Sequence, residues 1–361
     1  MYSLSGSEDI KYMERCLVLA ENGIGHVSPN PMVGCVIVRD GRIIGEGYHI
    51  IYGGPHAEVN AIHAVKDKGL LRTSTMYVSL EPCSHWGKTP PCADKIIEHG
   101  IPKVVIGCRD INEEVAGRGI EKLQNAGIEV VYGVLEKECI ELNKRFFTFY
   151  RNRRPYIILK WAQTTDGFIA RNDNSSNWIS NTYSRMLVHQ WRGQEDAIMA
   201  GSNTIRIDNP YLTTREMAGK NPARIIIDRN LDLPKNLNVL NDESKTIVFN
   251  AKESLTKDNI EYVKVDFKED ILPGILNELY VRKIQSVIIE GGAKLLNSFI
   301  NSRLWDEARV FISPTLFGDG IAAPVIPGKV IEKTKITGDV LLICNNEQTK
   351  TPLLQNEARA F

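Results

Sequence analysis

A histidine, a glutamate and two cysteines have spacings that suit metal chemistry. One residue separates His56 from Glu58, and Cys92 follows Cys83 by nine positions. Imidazole nitrogen and thiolate sulfur are both ligands of zinc, and a hydrolytic zinc site keeps one coordination position for water, whereas a structural site usually has four protein ligands. Three ligands with a spare carboxylate therefore predict a catalytic zinc site.

The order of these residues indicates which reaction such a site performs. Zinc-dependent deaminases of nucleobases have the pattern H-x-E followed by P-C-x-x-C, in which the glutamate transfers protons and is not a zinc ligand. This chain has His56-x-Glu58 and then Pro82-Cys83, but eight residues separate Cys83 from Cys92. The pattern predicts the deaminase class and departs from the members that act on nucleic acids.

Two other interpretations of the cysteines stay open at this point. In the first, both cysteines are ordinary buried thiols. In the second, the zinc ion is structural, and His85 or Cys108 is its fourth ligand. The catalytic interpretation is favoured because Glu81-Pro82-Cys83 comes directly after an apolar strand at residues 76–80.

Short helices are expected beside the ligands. Residues 57–65 have helical composition and follow a Gly-Gly-Pro turn, so His56 and Glu58 lie on the first turn of a helix. Residues 93–98 form a second helix after two prolines, which places Cys92 at a helix N-terminus. The positive end of the helix dipole there favours the thiolate form of the cysteine.

The composition of the whole chain restricts its class. Its 361 residues suffice for two domains, for which we expect the limits 1–150 and 151–361. Lysine plus arginine and aspartate plus glutamate number 44 each, so no global positive charge indicates a nucleic-acid partner. The apolar runs fall far short of the roughly 18 residues that span a bilayer, and the first six residues lack the features of a signal peptide. We expect a cytoplasmic protein with reduced cysteines and no membrane partner.

Alternating strands and helices predict an α/β fold in both halves of the chain. In the first half we expect strands at 33–38 and 43–48 as a hairpin and a closing helix over 137–150. The basic segment 151–155 marks the junction, where the arginines either contact phosphate or form a solvated linker. In the second half the expected strands are 156–161, 197–200, 224–227, 246–250, 286–289 and 307–313.

Two glycine turns in the second half each follow a strand and precede a helix. They are residues 200–204 (A-G-S-N-T) and 290–293 (E-G-G-A), and neither has the G-x-G-x-x-G fingerprint of a Rossmann site. Exposed amides at such a turn bind phosphate oxygens. Tight packing explains the same glycines, so the sequence leaves both interpretations open.

Long runs of the sequence together resemble one protein family. In the first half the runs are residues 53–58 (GGPHAE) and 77–92 (YVSLEPCSHWGKTPPC). In the second half they include Lys160-Trp161-Ala162, Trp178-Ile179-Ser180, Asp208-Asn209-Pro210 and Glu290-Gly291-Gly292. These runs resemble the RibD family, the bifunctional deaminase and reductase of riboflavin biosynthesis, over about the whole chain.

The resemblance implies a fold and an activity for each domain. The N-terminal domain would have the cytidine-deaminase fold, an α/β/α sandwich, and would use zinc to deaminate 2,5-diamino-6-(5-phosphoribosylamino)pyrimidin-4(3H)-one. The C-terminal α/β domain would be similar to dihydrofolate reductase and would use NADPH to reduce the ribosyl side chain to ribityl. The expected partners are small-molecule pyrimidine ribosyl phosphates and further copies of the chain in a homo-oligomer.

The resemblance also implies roles for individual residues. The metal ligands would be His56, Cys83 and Cys92, and the proton shuttle would be Glu58. The residues that match the deaminase substrate positions are Asn30, His49, Lys88, Asp110 and Asn112. Those that match the reductase substrate positions are Ser176, Arg192, Leu212, Arg215 and Glu290. Those that match the cofactor positions are Ala162, Trp178, Thr204, Asp208 and Gly292.

Some assignments in the second half stay open. The planar guanidinium groups of Arg192 and Arg215 suit phosphate, although either arginine is equally explained by a surface ion pair. Lys160 and Glu290 are both candidates for the proton donor. The chain also departs from the family pattern at Thr164-Thr165-Asp166-Gly167, where the family has Ser-Leu-Asp-Gly, and at Ile111 and Glu113, where it has prolines.

Two competing functions remain from the residues alone. The first is a zinc deaminase of tRNA or of free cytidine-type nucleotides with an appended binding domain, against which the balanced charge argues. The second is a scaffold in which zinc only stabilises the fold.

Overall fold

The computed structural model describes residues 4–86, 90–111, 117–173, 178–268 and 270–347. The chain divides into two compact units, Met1–Arg153 and Arg154–Phe361. Among the described residues, no helix is both long enough and apolar enough to cross a membrane.

The first unit is a five-stranded sheet with helices on both faces. Its elements are α1 Leu4–Glu21, β1 Gly34–Arg39, β2 Arg42–Tyr48, α2 Ala57–Ala64, β3 Thr75–Leu80, α3 Cys92–His99, β4 Lys103–Cys108, α4 Arg118–Asn125, β5 Glu129–Tyr132, α5 Glu136–Leu142 and α6 Lys144–Asn152. The strand order is β2-β1-β3-β4-β5, in which β3, β4 and β5 are parallel. Buried residues of α2, α3 and α4 pack on one face, and those of α1, α5 and α6 pack on the other.

Two glycines in β2 determine how closely α2 approaches the sheet. A Cβ atom on Gly45 would lie 2.5 Å from the Ala61 carbonyl oxygen, and one on Gly47 would lie 2.4 Å from the Ala61 nitrogen. Both distances are far below van der Waals contact, so any larger residue would push α2 away. The two glycines therefore fix the position of the helix that begins after His56.

The closing helix expected over 137–150 is in fact two helices, α5 and α6, because the chain bends at Asn143. The Asn143 side chain accepts a hydrogen bond from the Met32 amide at 2.8 Å and donates one to the Met32 carbonyl at 2.9 Å. These two bonds replace a backbone partner for Met32, which satisfies its buried polar groups. The need for that partner, 111 residues away, is not visible in local helix propensity.

The second unit is built on a ten-stranded sheet. Its elements are β6 Tyr156–Thr164, β7 Phe168–Ala170, α7 Thr182–Gln194, β8 Ala197–Gly201, α8 Ser202–Asp208, β9 Ala223–Ile227, β10 Thr246–Asn250, β11 Leu255–Lys257, β12 Ile260–Lys264, α9 Ile271–Val281, β13 Ser286–Ile289, α10 Ala293–Asn301, β14 Glu307–Ser313, β15 Ile321–Ala322, β16 Lys329–Ile336 and β17 Asp339–Asn345. The strand order is β11-β12-β10-β9-β8-β13-β6-β14-β17-β16. The strands from β12 to β14 in this order are parallel and the outer ones are antiparallel.

The parallel strands place the two glycine turns side by side. Strands β8 and β13 are neighbours in parallel register, with Ile289 opposite Met199. Each strand runs directly into a helix, α8 after Gly201 and α10 after Gly292. Both turns therefore lie at the same edge of the sheet, where ligands of parallel α/β sheets bind.

The basic segment at the junction is not simply a solvated linker. Arg154 is 8% exposed and binds both carboxylate oxygens of Asp306, at 2.6 and 2.8 Å. Asp306 also accepts a hydrogen bond from the Ile157 amide at 2.8 Å. Arg154 is thus committed to a buried ion pair at the start of β6, where neither phosphate nor bulk solvent is its partner.

Candidate functional site

Three separate elements of the first unit position the side chains predicted to bind zinc. His56 is the residue directly before α2, Cys83 lies in the loop after β3, and Cys92 is the first residue of α3. The Cys92 amide donates a hydrogen bond to Cys83 Sγ at 3.3 Å, as expected for a thiolate at a helix N-terminus. The three side chains, distant in sequence, therefore meet at one end of the sheet.

The distances between their ligand atoms fit a tetrahedral zinc ion. His56 Nδ1 lies 3.6 Å from Cys83 Sγ and 3.3 Å from Cys92 Sγ, and all three atoms lie within 4.8 Å of one another. Zinc bonds of about 2.3 Å to sulfur and about 2.0 Å to nitrogen at tetrahedral angles place such ligand atoms about 3.5 Å apart. His85 and Cys108 are not part of this group, so the described residues offer a set of three ligands.

Electrostatics at this site favour negative charge on the Cys83 sulfur but not on Cys92, whose thiol pKa is raised by its hydrogen bond to Cys83 and by burial, contrary to the expectation from the helix N-terminus. The hydrogen bond from Cys92 outweighs burial and, with His56, lowers the pKa of the Cys83 thiol to about 4. Glu58 lies on the first turn of α2 and is 3% exposed. Burial raises the pKa of Glu58 to about 6. A buried carboxyl group beside three metal ligands is suited to accept and release a proton.

A cavity of about 230 Å³ opens beside His56, Glu58 and Cys83. Asn30, His49 and Asp110 also line this cavity. His49 donates from Nδ1 to the Pro55 carbonyl at 3.0 Å, which leaves Nε2 to accept a hydrogen bond from the Asn30 side-chain amide at 3.1 Å. The Asn30 carbonyl oxygen is then available as an acceptor. The structure thus brings together the zinc group and three of the residues expected at the deaminase substrate.

In the second unit, Arg192 and Glu290 form a buried ion pair next to Lys160. Arg192 Nε and Nη2 donate to the two Glu290 oxygens, and Nη1 donates to the Thr213 carbonyl at 3.1 Å. Lys160 Nζ lies 3.8 Å from Glu290 Oε2, and burial lowers the pKa of this lysine. Each nitrogen of the Arg192 guanidinium therefore already makes one hydrogen bond to a protein group.

A second cluster surrounds His189, which the sequence did not indicate. The Arg215 amide donates to His189 Nδ1 at 3.0 Å, and Arg215 Nη1 donates to Thr213 Oγ1 at 3.2 Å. The Arg215 guanidinium also lies over the Tyr211 ring. Leu212 is buried nearby in sequence, with a positive φ of 54°. His189 has no local signal, because its contacts come from a loop 26 residues later.

The residues expected at the cofactor are only partly brought together. Gly292 donates its amide to Thr204 Oγ1 at 2.9 Å, which ties the two glycine turns to each other. Asp208 ends α8, where burial raises its pKa, and Ala162 is partly buried on β6. Trp178 is 78% exposed and its ring contacts the Arg185 guanidinium. Lys88, Asn112 and Ser176 lie outside the described residues.

The fold and the site together define a class of protein. The first unit has the histidine, two cysteines and adjacent glutamate of a zinc-dependent deaminase, and residues 6–108 match the family model of the cytidine and deoxycytidylate deaminase zinc-binding region. Residues 155–349 match the model of the RibD C-terminal domain. The class is a deaminase joined to a reductase.

Comparison with whole proteins narrows this class. The chain is 42% identical over 331 residues to the riboflavin biosynthesis protein RibD of Aquifex aeolicus (strain VF5), with 90% of this chain and 92% of that protein covered. The crystal structure of the diaminohydroxyphosphoribosylaminopyrimidine deaminase/5-amino-6-(5-phosphoribosylamino)uracil reductase of Thermotoga maritima is 39% identical. It has a TM-score of 0.87 and covers 94% of this chain and 99% of its own. A structure of Acinetobacter baumannii RibD also has a TM-score of 0.87, at 32% identity and the same coverages.

The chain belongs to the RibD family. It is a bifunctional deaminase and reductase of riboflavin biosynthesis, with a zinc-binding deaminase domain followed by an NADPH-dependent reductase domain. The predicted fold class, domain order, pair of activities and cofactors are confirmed. The competing hypotheses, a tRNA or cytidine deaminase and a zinc-stabilised scaffold, are rejected.

Proposed function

We propose that His56, Cys83 and Cys92 hold the zinc ion and that Glu58 transfers protons during deamination. Bound zinc supplies a Lewis acid that activates water for attack on the amine-bearing ring carbon. Glu58 would accept the first proton of that water and deliver it to the ring nitrogen, and would then accept the second from the added hydroxyl group and deliver it to the amine, which leaves as ammonia. The observation that carries this proposal is a buried carboxyl group beside three ligand atoms with tetrahedral spacing.

The deaminase substrate occupies the cavity between the metal group and the Asn30 loop. Asn30, held by His49, accepts a hydrogen bond from the ring, and Asp110 lines the same cavity. Lys88 neutralises the substrate phosphate as a compact cation. These roles follow the family pattern, and the shared cavity supports those of Asn30, His49 and Asp110.

Glu58→Gln tests the deaminase proposal. The amide cannot accept a proton, so deamination falls by at least about 100-fold, the lower end of what general acid-base catalysis contributes. Zinc content stays at the wild-type value because Glu58 is not a ligand. Mass analysis of the product from the diaminopyrimidinone nucleotide, without NADPH, measures the effect. A variant with near wild-type turnover would contradict the role of Glu58.

For the reductase we propose that the cofactor and substrate meet at the carboxyl edge of strands β6, β8 and β13. NADPH supplies the hydride that reduces the ribosyl group. The cofactor residues proposed are Ala162, Trp178, Thr204, Asp208 and Gly292, and the substrate residues proposed are Ser176, Arg192, Leu212, Arg215 and Glu290. The adjacency of the two glycine turns supports this location.

The two arginines differ in what they contribute. The Arg192 donors are bound by Glu290 and Thr213, so we assign to Arg192 the orientation of the Glu290 carboxylate. Arg215 keeps more of its donors for the substrate phosphate.

The loss of NADPH absorbance in the presence of the deaminated intermediate tests the reductase. Arg215→Lys raises the KM for this intermediate more than it lowers kcat, because a lysine cannot make a two-pronged phosphate contact. An unchanged KM would contradict the assignment.

The domain limits 1–150 and 151–361 are also proposals, which the two compact units support to within a few residues.

We further propose that the enzyme is cytoplasmic and forms a homo-oligomer. Val330 and Ile331 on the outer strand β16 are 48% and 50% exposed, and a second copy of the chain would cover them. Light scattering of the purified chain tests this, and a monomer at micromolar concentration would contradict it.

A further inference from the structure

A buried glutamate beside the metal site makes no contact with the ligand atoms and has a different set of partners. Glu81 follows β3, lies two residues before Cys83 and is 3% exposed. Its Oε1 atom accepts hydrogen bonds from the Gly119 amide at 2.9 Å and the Ile120 amide at 3.2 Å. Its Oε2 atom accepts from the Gly117 amide at 3.0 Å and the Asp110 amide at 3.3 Å. One carboxylate thus binds four backbone amides.

The receiving segment has the residues that this close approach requires. Gly117 has a φ of 77°, a left-handed conformation that favours glycine. A Cβ atom on Gly119 would lie 2.0 Å from the Pro82 carbonyl oxygen and 3.2 Å from the Glu81 carboxyl group. The sequence Gly-Arg-Gly at 117–119 is therefore the steric counterpart of Glu81-Pro82, although 34 residues separate them.

Glu81 connects the Cys83 loop with the Asp110 segment, both of which line the cavity. Along the chain it precedes the metal ligand Cys83, and across the sheet its amide donates to the Cys108 carbonyl at 3.0 Å. Through its side chain it holds Asp110, a cavity residue proposed to contact the substrate. The same carboxylate accepts hydrogen bonds from the first amides of α4. The dipole of this helix stabilises a negative charge at its N-terminus.

We infer that Glu81 is a positioning residue for deamination, which sets the distance between the Cys83 ligand and the Asp110 wall of the cavity. This inference rests on the proposed deaminase site. Glu81 does not exchange protons with the substrate, because both of its oxygens are occupied by backbone amides. Its contribution is the placement of the substrate relative to the metal, where small displacements have large effects on rate.

The test is Glu81→Gln in the full-length, zinc-loaded enzyme. Glutamine keeps the shape but replaces one accepting oxygen with an NH2 group, which faces two amides that then lack an acceptor. We expect the KM for the diaminopyrimidinone nucleotide to rise about tenfold, with wild-type zinc content, because the Asp110 segment loses its anchor and the cavity no longer holds the substrate in the same place. Reduction of the deaminated intermediate stays unchanged.

Two further variants sharpen this test. Glu121→Gln, an exposed carboxyl group on α4, is the matched control and leaves deamination unchanged. Gly117→Ala keeps the carboxylate and disturbs one of its partners through the left-handed φ, with open space for the added methyl group. It raises the same KM by a smaller factor and provides the measurement if Glu81→Gln does not fold.

The outcomes separate this inference from the proposed function. Wild-type KM and kcat in both Glu81→Gln and Gly117→Ala would overturn it. A loss of activity in strict proportion to lost zinc would also overturn it, because Glu81 would then only support the fold. If Glu58→Gln is inactive and Glu81→Gln behaves like Glu121→Gln, the site assignment stands and the positioning role fails. If Glu58→Gln is fully active, the site assignment itself fails.

Discussion

Arg192 binds both carboxylate oxygens of Glu290, with Nε donating to Oε1 at 3.0 Å and Nη2 donating to Oε2 at 2.8 Å. Both side chains are almost buried. Burial opposes the ionisation of Glu290, but the charges of Arg192 and Lys160 outweigh it and hold its pKa at about 2. The proposed reductase site therefore contains a carboxylate that stays charged throughout the physiological pH range.

This pair gives a prediction for stability. Arg192→Leu leaves Glu290 with Lys160 as its main cation, so we expect the free energy of unfolding of the second unit to fall by about 3 kcal/mol or more. Urea denaturation measures this fall. The double variant Arg192→Leu, Glu290→Leu removes both charges and regains much of the loss. A double variant as unstable as the sum of its single variants would show that the pair is not coupled.

The buried His189 gives a prediction for pH dependence. Burial, together with Arg192 and Arg215, lowers its pKa to about 4, while Glu216 and Glu290 act weakly in the opposite direction. The unfolded chain, with an ordinary histidine pKa near 6.5, binds a proton more readily than the folded chain between these values. The contribution of neutral His189 to the free energy of unfolding is fully present above about pH 6.5. It declines by up to about 1.4 kcal/mol per pH unit as the pH falls toward 4.

Replacing this histidine isolates its share of the pH dependence. His189→Asn keeps an acceptor for the Arg215 amide and removes the titrating ring. We expect the slope of unfolding free energy against pH between 4.5 and 6.5 to become flatter in the variant. Equal slopes in the two proteins would assign the acid sensitivity to other groups.

Metal removal separates the two activities. Chelation of zinc abolishes deamination, because the His56, Cys83 and Cys92 group has no other means of activating water. Reduction of the deaminated intermediate continues at the wild-type rate, since the residues proposed to bind NADPH lie in the other unit. Product analysis before and after zinc is restored measures both reactions. Parallel loss of both activities would contradict independent sites.

The link between the two glycine turns predicts an effect on cofactor affinity. Thr204→Val removes the acceptor of the Gly292 amide, so we expect the dissociation constant of NADPH to rise several-fold, equivalent to about 1 kcal/mol for one neutral hydrogen bond. Thr204→Ser retains the hydroxyl group and is the matched control. Fluorescence titration with NADPH measures both. Equal affinities of the two variants would place the cofactor away from these turns.

The fold was predictable where local patterns are strong. The hairpin at 33–38 and 43–48, helix α2 and the buried strand before Cys83 follow from turn residues and periodicity, and the structure places them within one or two residues. The break at Asn143 was missed because it coincides with two long-range hydrogen bonds to Met32, which no local pattern indicates. Strands β11 and β12 were also missed, since their polar residues form an exposed sheet edge without a clear alternation.

The candidate sites divide in the same way. Zinc ligands can be recognised in sequence because few residue types bind the metal and their neighbours are prolines and glycines with fixed conformations. The partners of Arg192 could not be recognised, because the guanidinium and the Glu290 carboxylate are 98 residues apart and meet only through the strand order. Glu81 was noticed as part of a run, but its four amide partners depend on the position of α4.

The hydrogen bonds of Asn143 have a consequence for isolating the deaminase as a fragment. The family model for zinc binding ends at residue 108, yet the Met32 backbone beside the Asn30 loop is held by a residue beyond that limit. Phe146 and Tyr150 also line the cavity. A fragment truncated near residue 108 would retain every metal ligand while losing part of the substrate enclosure. An autonomous catalytic fragment must therefore extend through α6.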